Sequence, residues 1–200
     1  RWSEGSCRRK SAGSCRCLTR RGDTMAWQDV VFQYDGSFDG FLCCVFESYV
    51  HKEFPIAFYS DEECFSLYSV RSILTVPEHA RRVYRGIFKR SKRAAELLHR
   101  AFLTCMEDKE LHLYTFVRKL MDEGPDFLRN QSDAAYYPAA KALRHMSGEL
   151  EKLRGFIRFS EYSGVLGAEI EPKNRVLPLL RNHFCDRYAN ESFFIYDSTH

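Results

Sequence analysis

Two hydrophobic periods alternate along this chain, and the switches between them divide it into elements. Val30-Val31-Phe32-Gln33-Tyr34 is a short apolar run, the pattern of a buried strand. Asp35-Gly36-Ser37 punctuates it as a turn, and Ser37 or Asp35 can cap the next helix. That helix is predicted over 38–51, with Phe41, Leu42, Val45, Phe46 and Tyr49 in one stripe. Residues 53–66 show neither period and predict a loop. Leu67 to Thr75 alternates and predicts a second strand.

Pro77 opens a helix over 77–90 that turns Ala80, Val83, Tyr84, Ile87 and Phe88 inward. A helix over 92–106 packs Ala94, Leu98, Ala101, Phe102 and Cys105. A third, over 109–122, ends at Gly124-Pro125. Residues 125–134 predict a polar loop. Ser132 or Asp133 can cap a long helix to about 154, its start delayed by Pro138, and Gly155 reads as its C-terminal cap. Phe156–Tyr162 and Val165–Ile170 alternate around a Ser163-Gly164 hairpin turn. A short helix over 175–189 leads to a last strand over 192–196. Strands at both ends and four helices between them predict an α+β domain over 25–200, its sheet mostly antiparallel.

The first 24 residues carry no such period. They are rich in Ser, Gly, Arg and Cys, and the first methionine is Met25. They predict a disordered basic tail upstream of a misplaced start, or else a nucleic-acid arm. The chain stops at His200 just after a strand, which predicts a missing C-terminal element. No run approaches the ~20 apolar residues of a membrane span, and no secretory leader precedes the first strand, so a cytoplasmic protein is expected.

The net charge is only +3, but it is unevenly spread. Residues 79–104 hold 8 basic residues and one acid, Glu96. Residues 1–29 add 7 basic and 3 acidic ones, and the remainder is acidic. A basic centre on an acidic body is either the footprint of a polyanion partner or a solvated helix face. The eight cysteines are expected to be reduced thiols. Cys7, Cys15 and Cys17 lack the fourth ligand and the paired spacing of a zinc site, so no metal is expected. No phosphate-binding glycine loop, dinucleotide fingerprint or cofactor motif is present, and none of the cysteines has radical-SAM cluster spacing.

Five motifs in order carry a resemblance. They are Tyr34-Asp35-Gly36-Ser37-Phe38-Asp39-Gly40-Phe41-Leu42, Ala80-Arg81-Arg82-Val83-Tyr84, Gly155-Phe156-Ile157-Arg158-Phe159-Ser160-Glu161 and Ala168-Glu169-Ile170-Glu171-Pro172. The last is His183-Phe184-Cys185-Asp186-Arg187-Tyr188, followed by Phe194-Ile195-Tyr196-Asp197. Together they resemble a bacterial family of uncharacterised proteins named for DNA metabolism and DNA repair. The resemblance implies a radical-SAM protein encoded alongside as partner, and a uracil-DNA glycosylase-like domain fused to some relatives. It implies DNA repair or modification without handing over a reaction. Cys185 stands where the family carries a small residue, which speaks against a nucleophile there.

Candidate site residues fall in three groups. His183, Asp186 and Arg187 form the densest chemical cluster, with His183 as proton carrier and Arg187 as phosphate grip, or else they close a helix and pair with a strand. Arg81, Arg85 and Lys89 recur at helical spacing with Arg82 beside them. This stripe has no aromatic interleaving on its exposed side, which fits phosphate contact. Arg158 is a buried pairing residue or a further phosphate contact, and Glu161, three positions on, falls on the opposite face of the strand. Tyr34, Asp35, Gly36 and Ser37 form the first motif, where the helix N-terminus either is merely capped or binds an anion; Asp197 closes the last motif. The function expected is a DNA-binding accessory to a radical-SAM partner. An enzyme acting on damaged DNA, or a pure protein-interaction module, are the alternatives.

Overall fold

The computed structural model describes residues 27–60 and 66–200. The tail at 1–24, with Cys7, Cys15 and Cys17, lies outside the described residues. The architecture is α+β, with two three-stranded sheets and the helices between them.

The first sheet has the order β2-β1-β3 and is parallel throughout. Its centre is β1 (Gln28–Gln33). Val30, Val31 and Phe32 are all buried, so both faces of the strand are covered. This is why the sequence shows an unbroken apolar run there, and both-face burial is characteristic of parallel sheets. Helix α1 (Phe38–His51) comes next, with Ser37 as N-cap accepting from the Gly40 amide. It ends at Lys52, whose φ of 56° is left-handed, and the chain enters β2 (Glu53–Tyr59) at once.

β2 replaces the loop expected over 53–66. Pro55 hid it, because proline cannot donate to a sheet ladder. The structure accommodates Pro55 at an edge strand and beside a bulge. Val30 pairs with Pro55 and Val31 with Ala57, leaving Ile56 as the extra residue. The strand expected over 67–75 contracts to β3 (Val70–Ser72), on the other side of β1.

Four further helices follow. α2 (Pro77–Arg90) and α3 (Lys92–Phe102) are joined by Ser91, which caps α3 by accepting from the Ala94 amide. Within this pair Phe88, and just beyond it Cys105, are exposed although both were expected inward. α4 (Lys109–Glu123) ends at Gly124 with φ of 83°, as the Gly-Pro pair predicts. A 3-10 turn (Pro125–Arg129) fills the expected loop. Asp133 caps the turn before α5 by accepting from the Ala135 amide, and α5 itself (Tyr137–Phe156) has Pro138 in its first turn. Gly155 does not cap α5. The helix runs through it to Phe156 and leaves by an extended Ile157.

The second sheet has the order β4-β5-β6. β4 (Ser160–Tyr162) and β5 (Val165–Ile170) form the expected antiparallel hairpin, with Ser163 and Gly164 both at positive φ. α6 (Leu177–Arg187) crosses over to β6 (Phe193–Asp197), which therefore pairs parallel with β5. The α+β class stands, but the expectation of a mostly antiparallel sheet is corrected: three of the four strand pairings are parallel. Helical crossovers (α1, α6) and the long return from β2 to β3 dictate this, since tight turns alone favour antiparallel neighbours.

Two hydrophobic clusters hold the layers. One joins β1 to α1–α4 and the start of α5. The other gathers Met146, Leu150, Ile170, Val176, Leu180 and Phe184 around α5, α6 and the second sheet. Leu143 of α5 packs against both.

Candidate functional site

In open parallel sheets, ligand crevices lie outside the carboxyl end of the strands. Here that end carries the first motif. Asp35 organises it. Its Oδ1 accepts from the Ser37 amide at 2.9 Å and the Ser37 hydroxyl at 2.7 Å, and its Oδ2 accepts from the Thr75 hydroxyl at 2.7 Å. Thr75 comes after β3, so one carboxylate ties the ends of β1 and β3 together. Burial alone would raise the Asp35 pKa, but these hydrogen bonds hold it below the ordinary carboxylate value.

The neighbours of Asp35 are equally fixed. Gly36 takes φ of 73°, a conformation that favours glycine. A Cβ on Gly40 would overlap Asp35 Oδ1, the Thr75 hydroxyl and the Tyr34 ring. Tyr34 is buried, and its hydroxyl donates to Glu110 Oε1 at 2.9 Å. Burial, then the Glu110 charge, push its pKa up, so it stays a neutral donor. Asp35 and Ser37 therefore serve as cap and strand tie, and their polar atoms are already engaged.

Beside this end, α1, α2 and α3 enclose an open groove of about 330 Å³. Phe38, Asp39 and Leu42 come from α1, Ala80, Arg81, Tyr84 and Arg85 from α2, and His99 from α3. The fold thus brings the first motif together with two of the stripe cations. Phe38 lies at the centre, its ring edge-to-face with His99 at 5.0 Å, Phe102 at 5.3 Å and Tyr84 at 6.3 Å. The sequence assigns Tyr84 inward, and its ring does pack against the first cluster. Tyr84 is only half-buried and shares the groove with Arg81 and Arg85. Helical spacing alone assigns it to the core.

Arg81, Arg82, Arg85, Lys89 and Arg90 are all exposed on α2, and none makes an ion pair with a described carboxylate. The Arg82 guanidinium lies over the Phe46 ring at 5.8 Å. Glu78 is the only acid on this helix. The helix thus presents a positive face; on α3, Lys92 pairs with Glu96 at 3.8 Å and Arg93 reaches the Tyr136 hydroxyl at 3.5 Å.

The His183, Asp186 and Arg187 group does not assemble into a catalytic constellation. His183, Asp186 and Arg187 sit on the last turns of α6. The His183 ring packs on Phe184 at 4.9 Å, and its Nε2 is buried without a hydrogen-bond partner among the described residues. Asp186 and Arg187 are exposed, and Arg187 lies over the Tyr188 ring at 5.8 Å. Neither hydrogen-bonds His183. Arg158 precedes β4 and is exposed, so the buried pairing role is corrected. Glu161 is exposed on β4. Asp197 accepts from the Thr199 and His200 amides and faces the His200 ring at 3.1 Å, closing the turn after β6. Among the described residues no cluster of His, Cys, Asp or Glu is arranged to hold a metal ion. Among those residues no helix is long and apolar enough to cross a membrane.

No curated protein and no solved structure matches this chain. A family model described as a domain of unknown function, DUF4130, matches residues 107–200. That span holds α4 through β6 and the later motifs at 155–161, 168–172, 183–188 and 194–197. The first motif, the groove and the α2 cations lie outside it. From α4 onward the chain is similar to that domain of unknown function.

Proposed function

We propose that this protein binds a nucleic-acid backbone through the exposed face of α2 and acts as a DNA-binding accessory in DNA repair or modification. The observation that carries the reading is the row Arg81, Arg82, Arg85 and Lys89, exposed and without a described carboxylate partner. Surface cations of a merely solubilising helix are commonly interleaved with acids. Here the one acid, Glu78, sits in the first turn, where it complements the helix dipole instead. Exposed guanidinium groups are well suited to phosphate. DNA as the polyanion, and a radical-SAM protein as partner, come from the motif resemblance. A uracil-DNA glycosylase-like domain would supply the base chemistry in fused relatives.

The test is the charge reversal Arg81→Glu/Arg85→Glu/Lys89→Glu, assayed by fluorescence anisotropy with labelled DNA. The reading predicts a loss of at least tenfold in affinity with an unchanged circular dichroism spectrum. Equal affinity in a folded variant removes α2 from the account.

One observation favours a second reading, an enzyme acting on damaged DNA. The Nε2 of His183 is buried and has no hydrogen-bond partner among the described residues. A His183→Ala variant that binds DNA normally but loses turnover would support it. Retained turnover would dismiss it.

A further inference from the structure

The groove beside α2 has dimensions and walls that a bare phosphate contact does not need. At about 330 Å³ it sits at the small end of ligand pockets, enough for one base with its sugar and far too small for a duplex segment. Its walls are rings: Phe38, Tyr84 and the His99 imidazole. Aromatic side chains beside a cationic track are how proteins hold single strands, since every base has a face to stack. Arg81 and Arg85 line the same groove and have no described carboxylate partner. Asp39 adds one acceptor, suited to a base or sugar donor. The groove also lies beside the carboxyl end of β1, the end at which open α/β sheets bind ligands.

We infer that this groove takes a single unstacked nucleotide, its base against Tyr84 and Phe38 and its phosphate on Arg81 and Arg85, so that single-stranded DNA is the preferred ligand. This rests on the proposed backbone binding by α2 and adds base stacking to it. A paired base in a duplex is stacked on both sides and cannot enter.

The experiment compares three probes of equal length at one salt concentration: oligothymidine, an abasic strand with the same backbone, and a duplex. The intact chain is expected to bind oligothymidine about tenfold more tightly than the abasic strand, the worth of one base–aromatic stack. Tyr84→Ala is expected to abolish that difference and leave duplex affinity unchanged, while Tyr84→Phe, which keeps the ring, restores it. If Tyr84→Ala does not fold, His99→Ala serves instead, because His99 is exposed. Binding of all three probes alike, indifferent to Tyr84 and His99, overturns the nucleotide site and leaves backbone binding by α2 standing. Failure of every probe to bind overturns both.

Discussion

Gly40 is the residue on which the first motif turns. It sits in the first turn of α1, and a methyl there would meet the Asp35 carboxylate, the Thr75 hydroxyl and the Tyr34 ring together. Tyr34 is buried and hydrogen-bonded to Glu110, so it cannot swing away. Gly40→Ala is therefore expected to destabilise the protein by about 1–3 kcal/mol, the usual range for overpacking, despite alanine's better helix propensity. Urea unfolding with an unchanged slope would read this directly. Asp35 gives a prediction in pH. Its folded pKa is depressed, so the stability it supplies is present above the unfolded carboxylate value and lost as pH falls through the folded value. Asp35→Asn should cost about 1 kcal/mol at pH 7, an amount already reduced for solvent exposure and screening. The gap between wild type and variant should begin to close below about pH 4 and vanish only below the folded value. A gap that persists at lower pH would show that the hydrogen-bond geometry, not the charge, holds the tie. The Asp-Gly-Ser motif is legible in the sequence as a turn and cap, because those residue types act locally. The Thr75 tie is not, because it joins residues forty positions apart.

At the scale of elements, β2 and α2 mark opposite limits of sequence reading. Helix α2 is announced by Pro77 and by apolar spacing, and its bounds agree with expectation. Strand β2 contains Pro55, which in isolation argues against a sheet, and only the bulge opposite Val30 and Val31 makes room for it. The same locality explains the strand direction. Periodicity names strands but not partners, and the pairing of β6 with β5 is decided by α6 crossing between them. Tyr84 illustrates the point for the site. It does belong to the apolar stripe, but whether a stripe residue ends in the core or in a groove depends on the side chains that α1 and α3 place opposite. Element packing also predicts where α5 is anchored. Asn174, buried, donates to Glu149 Oε2 at 2.6 Å and accepts from the Cys105 amide at 2.9 Å. Asn174→Ala strands the Cys105 amide and removes one donor from Glu149, which keeps the Lys173 and Asn174 amides, and should cost about 1 kcal/mol, read as a lowered Tm. An unchanged Tm would mean that water replaces both contacts.

At the scale of the whole molecule, two stretches of the chain differ in what they carry. The basic helices and the groove belong to the first sheet and its cluster, while the span similar to the domain of unknown function carries α4 to β6. The charge imbalance is visible in the sequence as a basic centre, and its exposure on one helix face comes from the fold. The convergence of that face with the first motif across the groove is invisible to any local pattern, because it joins α1, α2 and α3 in space. The central claim is that α2 contacts a nucleic-acid backbone, and counterion release tests it most directly. Each phosphate contact contributes about 0.7 to the slope of log affinity against log salt on single strands and about 0.9 on duplex DNA. The intact chain and an Arg81→Gln/Arg85→Gln/Lys89→Gln variant carry the same basic tail, so their difference isolates the helix. The account predicts that the variant's slope on oligothymidine is shallower by about 2. Identical slopes in a folded variant would contradict it.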